Sequence, residues 1–260
     1  MITIVLDLET TVSPLGEILD PSAMHSDNAC VSCSWLMIED GKTLGPIQHS
    51  VWFHDEKPQP DSREPLQRDL GRADLLCAHN DKFDVTWLLE MEFVLPNEIW
   101  CTMIGEYIFS RGIRRPLSLK ATAERRDVTR KKSDLVDELF ASGVGFEKMP
   151  LDTVLEYAEA DVVSCAEIYL AQIEDLKLEE NIGLLPTFKL MNEMTWFLCE
   201  IERNGIAIDM DVLDEVRVQF ETEHTAIQTE LEKETIEVMG DTVTNLSSGQ
   251  DMTRLIYGYE

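Results

Sequence analysis

The chain has 260 residues, of which 44% are hydrophobic and 28% charged, an ordinary globular balance that leaves room for one large domain or a domain plus a smaller piece. A net charge of −28 argues against a tight binder of duplex nucleic acid, because affinity for a phosphate backbone comes largely from Lys and Arg. There is no run of about 18 apolar residues, and six scattered cysteines do not make a dense disulfide framework, so the expectation is a reduced, cytoplasmic protein without a membrane span.

Ile2–Thr11, ITIVLDLETT, opens the chain as a dense aliphatic and β-branched run that predicts a buried strand rather than a secretory leader. Side chains alternate along a strand, so Asp7 and Glu9 leave one face together while Leu6 and Leu8 leave the other. Cys30–Ile38 and Gln48–Phe53 predict two more strands around the turn Glu39-Asp40-Gly41-Lys42. Cys30 and Cys33 form a C-x-x-C pair, but no second pair follows at a zinc spacing and the stretch reads as strand. Glu64–Gly71 predicts a helix, Leu75–Ala78 a short buried strand, and Phe83–Met91 a helix with Asp84 in its first turn. Ile99–Phe109 and Leu117–Arg125 continue in helical register. Leu151–Leu176 is the clearest helix, with Leu155, Ala158, Val162, Cys165 and Tyr169 on one stripe. Strands first and helices later predict an α/β fold with a mixed sheet flanked by helices. From Leu184 the pattern is helical: Leu190–Glu202, a break at Asn204-Gly205, a long helix from Asp209 or Asp211 to about Val238, and a last one from Met252 to Tyr257 behind the cap Asn245-Leu246-Ser247-Ser248. The expected division is residues 1–183 and a helical 184–260.

Two carboxylates at one strand end repel, and each tends to hold a proton unless a cation neutralises the pair. Asp84, in N-D-K-F-D, and Asp161, four residues after Tyr157 on one helical row, add two more acids. Four carboxylates can hold two divalent ions about 3.5–4 Å apart, the arrangement that clamps the attacking and leaving oxygens in phosphodiester hydrolysis. Mg²⁺ is the natural occupant, with Mn²⁺ as a substitute. One basic segment stands on the acidic background: Arg111, Arg114, Arg115, Lys120, Arg125, Arg126, Arg130, Lys131 and Lys132 against only Glu124 and Asp127. It reads either as a solvated face or as a contact for a phosphate backbone.

D-x-E, N-x-x-F-D and Y-x-x-x-D, in this order, resemble the three exonuclease motifs of the DEDD superfamily, tyrosine subtype, over residues 1 to about 180. The resemblance implies an RNase H-like fold and metal-dependent 3′-to-5′ hydrolysis of DNA or RNA ends. It makes Asp7, Glu9, Asp84 and Asp161 the metal ligands and Tyr157 the residue that orients the attacking water. Histidine subtypes place a His before the last Asp; here His25, His49, His54, His79 and His224 all lie far from Asp161 in sequence. Cys101-Thr102-Met103 resembles the D-T-M segment of family A DNA polymerase proofreading domains, with Cys101 in place of the acid, and Ser118–Arg125 is similar to that family's S-L-x-x-L-A-x-x. Glu202–Ile206 and Asn245–Gly249 resemble the start of the polymerase thumb, with Asp251 where a Gln is usual. The palm and fingers have no counterpart, and beginning on the exonuclease strand is similar to phage polymerases.

The expectation is therefore the proofreading portion of a phage-like family A polymerase, a fragment or one half of a split enzyme. It would release nucleoside monophosphates from the single-stranded 3′ end of a DNA primer in a bacterial or phage-infected cytoplasm. The rest of the polymerase or other replisome proteins are the expected partners. Asn80, Phe83 and the basic segment are the expected strand contacts. The alternatives are a free-standing exonuclease on DNA or RNA and a catalytically silent binding scaffold.

Overall fold

The computed structural model describes residues 1–15, 18–60, 63–129, 134–240 and 244–258. The chain forms β1 (Ile2–Thr10), β2 (Ser13–Leu15), β3 (Ile18–Asp20), β4 (Cys30–Glu39), β5 (Lys42–Thr43), β6 (Gln48–Val51), β7 (Phe53–His54) and β8 (Lys57–Pro58) before its first helix, α1 (Glu64–Leu70). Strand β9 (Leu75–Ala78), α2 (Asp81–Glu90), β10 (Glu98–Cys101), α3 (Thr102–Phe109), α4 (Leu119–Arg126), α5 (Asp134–Ala141), α6 (Leu151–Asp175) and α7 (Leu185–Asn204) follow. Two compact units result, Met1–Asn204 and Gly205–Glu260, so α7 belongs with the first unit and the compact body runs past the division expected after residue 183.

The main sheet of the first unit has the order β10-β9-β1-β4-β5, with β6 also on β4. β9 and β10 run parallel to β1, and β4 runs antiparallel to it. This is the mixed sheet flanked by helices expected from the sequence. Alternation along β1 sends Ile4, Leu6 and Leu8 into one core with Leu66, Leu76, Val85 and Leu88, which is the layer of α1 and α2. Val5 goes to the other core with Ile108, Leu119, Val162, Cys165 and Ile168, the layer of α3, α4 and α6. A strand buried on both faces explains why ITIVL is apolar except for Thr3.

Glu98–Cys101 is a strand, where the sequence pattern predicts the beginning of a helix. Its three buried residues, Ile99, Trp100 and Cys101, pair with β9 and are too few to show a period. Cys101 then caps α3, its Sγ accepting from Ile104 N–H. Helix α5 carried no expectation, and the hairpin β2–β3 lies in a stretch, residues 12–28, that the sequence pattern reads as turn-rich. Strand β10 lies at an edge of the sheet, and α7 covers it: Phe188 enters one core, Cys199 the other, and Asn192 Oδ1 accepts the Cys101 N–H at 2.8 Å.

The second unit contains α8 (Met210–Met239) and α9 (Gly249–Tyr257). Asp209 caps α8 by accepting from Asp211 and Val212 N–H, and Ser248 caps α9 by accepting from Asp251 N–H. Asp251 in turn accepts the Asn245 N–H at 3.0 Å, which fastens the turn before the cap to the first turn of α9.

Helices α3, α4 and α6 are joined by a charged knot in the core. Glu106, 3% exposed, accepts from Arg125 at 2.9 Å, from Arg126 and from Gln172 at 3.1 Å. Burial pushes the Glu106 carboxyl up, but Gln172, Arg126 and Arg125 together outweigh burial and hold it below its ordinary value. A carboxyl depressed in the folded state contributes stability above its unfolded pKa, and that contribution is lost as the pH falls through the depressed value. Glu106→Gln strands two guanidinium groups that are partly solvated, and should lower the unfolding free energy by about 2–3 kcal/mol near neutral pH. Urea titrations of wild type and variant should converge in acid; a gap that persists unchanged through the acid range contradicts the assignment.

Candidate active site

Helix α6 crosses β1 in the opposite sense. At one end the Thr3 and Tyr169 hydroxyls share a hydrogen bond at 3.2 Å. Four residues along β1, at about 3.3 Å each, span about 13 Å, and eight residues back along α6, at about 1.5 Å each, span about 12 Å. The two paths therefore arrive together at Asp7 and Asp161. One carboxylate oxygen each from Asp7, Glu9 and Asp161 lie within 4.8 Å of one another. Glu9 and Asp161 are buried and Asp7 is half-buried. Opposite Asp7 and Glu9 on β4 stand Ser34 and Ser32, both wholly buried, whose small side chains leave room for the acids. The β1–β4 register slips between Glu9 and Thr10, a bulge at the edge of the cluster.

Asp84 arrives from the other helical layer. Strand β9 pairs with β1 through Val5, so both carboxyl ends lie on one side of the sheet, where ligands of such sheets bind. The chain turns through Asn80 in the left-handed conformation, φ 69°, into α2. Asp84, in the first turn, accepts the Leu8 N–H at 3.1 Å, at a point of β1 beyond its pairing with β9. Burial, then Asp7 and then Asp81 push its carboxyl well above the ordinary range. The fourth acid is thus electrostatically coupled to Asp7 but lies outside the 4.8 Å group.

Tyr157 sits one turn before Asp161, its ring 5.6 Å from that of Phe146, which in turn meets Phe140 edge-on at 4.8 Å. Val31, Met149 and Val154 complete this packing. Burial, followed by Asp161, Glu9 and Asp7, raises the phenol far above its ordinary value, so it stands as a neutral hydroxyl beside the acids. Phe146 is the contact the sequence did not announce, because it lies in a short turn outside any apolar stripe.

Cys101 replaces the acid of the resembled D-T-M segment, and the structure supplies a carboxyl beside it. Asp81, 1% exposed, is that carboxyl, and burial raises it to about 6 against the opposing influence of Cys101, the Lys82 N–H and Thr195.

The basic segment divides. Arg125 and Arg126 are taken by Glu106, Arg126 also by Asp175 at 2.9 Å, and Arg111 donates to Glu180 O and Asn181 Oδ1. These three are thus engaged within the fold, a role the sequence pattern did not give them beside the expected strand contact. Arg114 and Arg115 are exposed and make no ion pair among the described residues, and Lys120 is also exposed. Arg130, Lys131 and Lys132 lie outside the described residues. Asn80 is exposed and Phe83 half-buried, beside the Asp84 turn. Among the described residues no helix is long and apolar enough to cross a membrane.

No protein-family model matches the chain. Over 175 residues it is 29% identical to a DNA polymerase of Bacillus phage SP01, a match that covers 63% of this chain and 18% of the phage protein. The chain thus spans less than a fifth of that relative. Among solved structures it resembles the POL domain of Pol1 from M. smegmatis in complex with DNA primer-template and dNTP, with a TM-score of 0.59 at 13% identity over 98% of this chain and 36% of that one. It also resembles the apo form of a nuclease, with a TM-score of 0.51 at 16% identity over 79% of this chain and 88% of that one. In sequence pattern and fold the chain is similar to a DEDD exonuclease domain of a polymerase.

The donor set fits hard divalent cations: carboxylate oxygens only, converging from two layers. At 4.8 Å and an effective dielectric of about 20, each pair of ionised carboxylates repels by roughly 3 kcal/mol. Asp161→Asn should therefore raise the unfolding temperature in EDTA by about 3 °C or more. Millimolar Mg²⁺ or Mn²⁺ should stabilise wild type and have little effect on the variant. A variant less stable than wild type in EDTA would contradict the repulsive cluster.

Proposed function

We propose that the first unit is a metal-dependent 3′-to-5′ exonuclease, the proofreading portion of a family A DNA polymerase of phage type acting in DNA replication. The observation that carries this reading is the convergence of Asp7, Glu9 and Asp161 within 4.8 Å, with Tyr157 one helical turn away. Asp7, Glu9, Asp84 and Asp161 would hold two Mg²⁺ ions, or Mn²⁺ in their place. When bound, such a pair supplies positive charge for activating a water and for stabilising the leaving oxygen of a phosphodiester.

The chain's own residues supply position. The Leu8 N–H fixes the Asp84 carboxylate, and the α6 backbone fixes Asp161 relative to Tyr157. The neutral Tyr157 hydroxyl orients the attacking water by hydrogen bonding and does not act as its base. Phe83, half-buried beside Asp84, would separate the last bases of a frayed strand, and Asn80, Arg114, Arg115 and Lys120 would meet its backbone, whereas Leu8 is buried in the core. The substrate of this reading is the single-stranded 3′ end of a DNA primer and the product is a nucleoside monophosphate. The setting is a bacterial or phage-infected cytoplasm, and the partners are the rest of the polymerase or other replisome proteins. Residues 184–260 would be the start of the thumb region.

The compactness of Met1–Asn204 by itself favours a second reading, an exonuclease that works alone on DNA or RNA ends. Comparing 3′-labelled DNA and RNA strands, and paired with mispaired primer ends, separates the two. Proofreading requires faster release from the mispaired DNA end.

Asp7→Ala should reduce Mg²⁺-dependent release of mononucleotides by about three orders of magnitude, because one lost ligand disrupts both ions. Undiminished hydrolysis would remove the metal assignment, and an inactive wild type would leave a binding scaffold. Tyr157→Phe should slow hydrolysis roughly tenfold to a hundredfold with Mn²⁺ affinity unchanged. An equal rate in the two proteins would take the water-orienting role from the hydroxyl.

A further inference from the structure

Asp7, Ser34 and His49 form one row across three strands: Ser34 of β4 opposes Asp7 of β1 on one side and His49 of β6 on the other. Directly opposed residues of antiparallel strands put their side chains on the same face, here the face that α6 covers. Ser34 Oγ lies 2.8 Å from His49 Nδ1, and His49 Nε2 lies 2.9 Å from Glu159 Oε1. An ionised carboxylate only accepts, so Nε2 carries the ring proton and Nδ1 takes the Ser34 hydroxyl hydrogen. Glu159 belongs to the α6 turn between Tyr157 and Asp161, and Asp161 returns to within 4.8 Å of Asp7. The row and the helix therefore close a ring around the cluster.

Hydroxyl, imidazole and carboxylate in this order are the groups of a nucleophilic triad. Ser34 is fully buried, so no substrate reaches its oxygen, and the chain of bonds serves another purpose. The far half of α6 is fastened to its neighbours: Tyr169 to Thr3, Gln172 to Trp100 and Glu106, Ser164 to Thr129 O. The near half must hold Asp161 against Asp7 and Glu9, whose charges push it away. His49 ties that turn to the sheet.

We propose that His49 is a positioning residue, which through Glu159 fixes the depth of the α6 turn that presents Tyr157 and Asp161 to Asp7 and Glu9. The proposal rests on the exonuclease reading for its consequence in hydrolysis, and on the carboxylate cluster alone for its consequence in metal binding. Glu159 is half-exposed, so its substitution leaves the core intact.

The test uses the full chain with Glu159→Ala, Glu159→Gln and His49→Ala. Hydrolysis of a 3′-labelled single strand gives kcat and KM, electron paramagnetic resonance gives Mn²⁺ affinity, and a thermal melt reports folding. Glu159→Ala and His49→Ala should each lower kcat and Mn²⁺ affinity about tenfold or more, with KM moving less than about threefold. Glu159→Gln keeps an oxygen for the His49 Nε2–H and should stay within about threefold of wild type in both measures. Glu159→Ala with unchanged kcat and Mn²⁺ affinity overturns the proposal. Glu159→Gln as impaired as Glu159→Ala also overturns it, because charge and not the bond would then matter. A wild type that binds Mn²⁺ and hydrolyses nothing overturns the exonuclease reading alone, and the loss of Mn²⁺ affinity in Glu159→Ala then still decides for or against the positioning role. A wild type that binds no Mn²⁺ overturns both.

Discussion

The antiparallel crossing of α6 over β1 is the constraint on which the site depends. A strand advances about twice as far per residue as a helix, so only a fixed ratio of spacings can bring residues of both into contact at two places. Thr3 with Tyr169, and Asp7 with Asp161, satisfy that ratio. Val5, Val162, Cys165 and Ile168 fill the interval with apolar contacts. Burial of that interval offsets the repulsion at the acidic end, because each buried aliphatic side chain contributes about 1.5–3 kcal/mol, comparable with one carboxylate pair. The same apolar packing that makes the fold stable thus also holds the acids together.

A second constraint comes from the parallel pairing of β1 with β9 and β10. It places the strand-to-helix turns of α2 and α3 on the side where β1 ends, so Asp84 and the Asp81–Cys101 contact lie near the cluster although they come from another layer. Helix α7 secures this arrangement from outside by satisfying the Cys101 N–H at the sheet edge. Asp81 shows that an acid absent from one element can be present on its neighbour, with burial keeping it largely neutral in mild acid.

Much of this was legible in the sequence. The strand at ITIVLDLET and the helix Leu151–Asp175 carry strong periodic signals, and their acids follow from alternation and from the four-residue row. Strand β10 was not legible, because Ile99-Trp100-Cys101 is too short to distinguish two periods. The bonds of Arg125 and Arg126 to Glu106 were not legible because Glu106 lies on another helix, and a local charge count sees only the neighbours Glu124 and Asp127. His49 escaped for the same reason: it lies far from Asp161 along the chain, and only strand pairing and Glu159 bring it near.

The fate of the basic segment bears on how so acidic a chain would receive an anionic strand on the proposed reading. With Arg111, Arg125 and Arg126 bonded within the fold, Arg114, Arg115 and Lys120 are the exposed cations of this segment among the described residues, against a net charge of −28. On the proposed reading, the attraction for a phosphate backbone then comes chiefly from the dications that the carboxylates hold, and from bases stacked on apolar groups such as Phe83. Metal occupancy would govern affinity as well as hydrolysis. On the same reading two ions would balance four carboxylates, and the acidic cluster would become a neutral seat for an anionic strand.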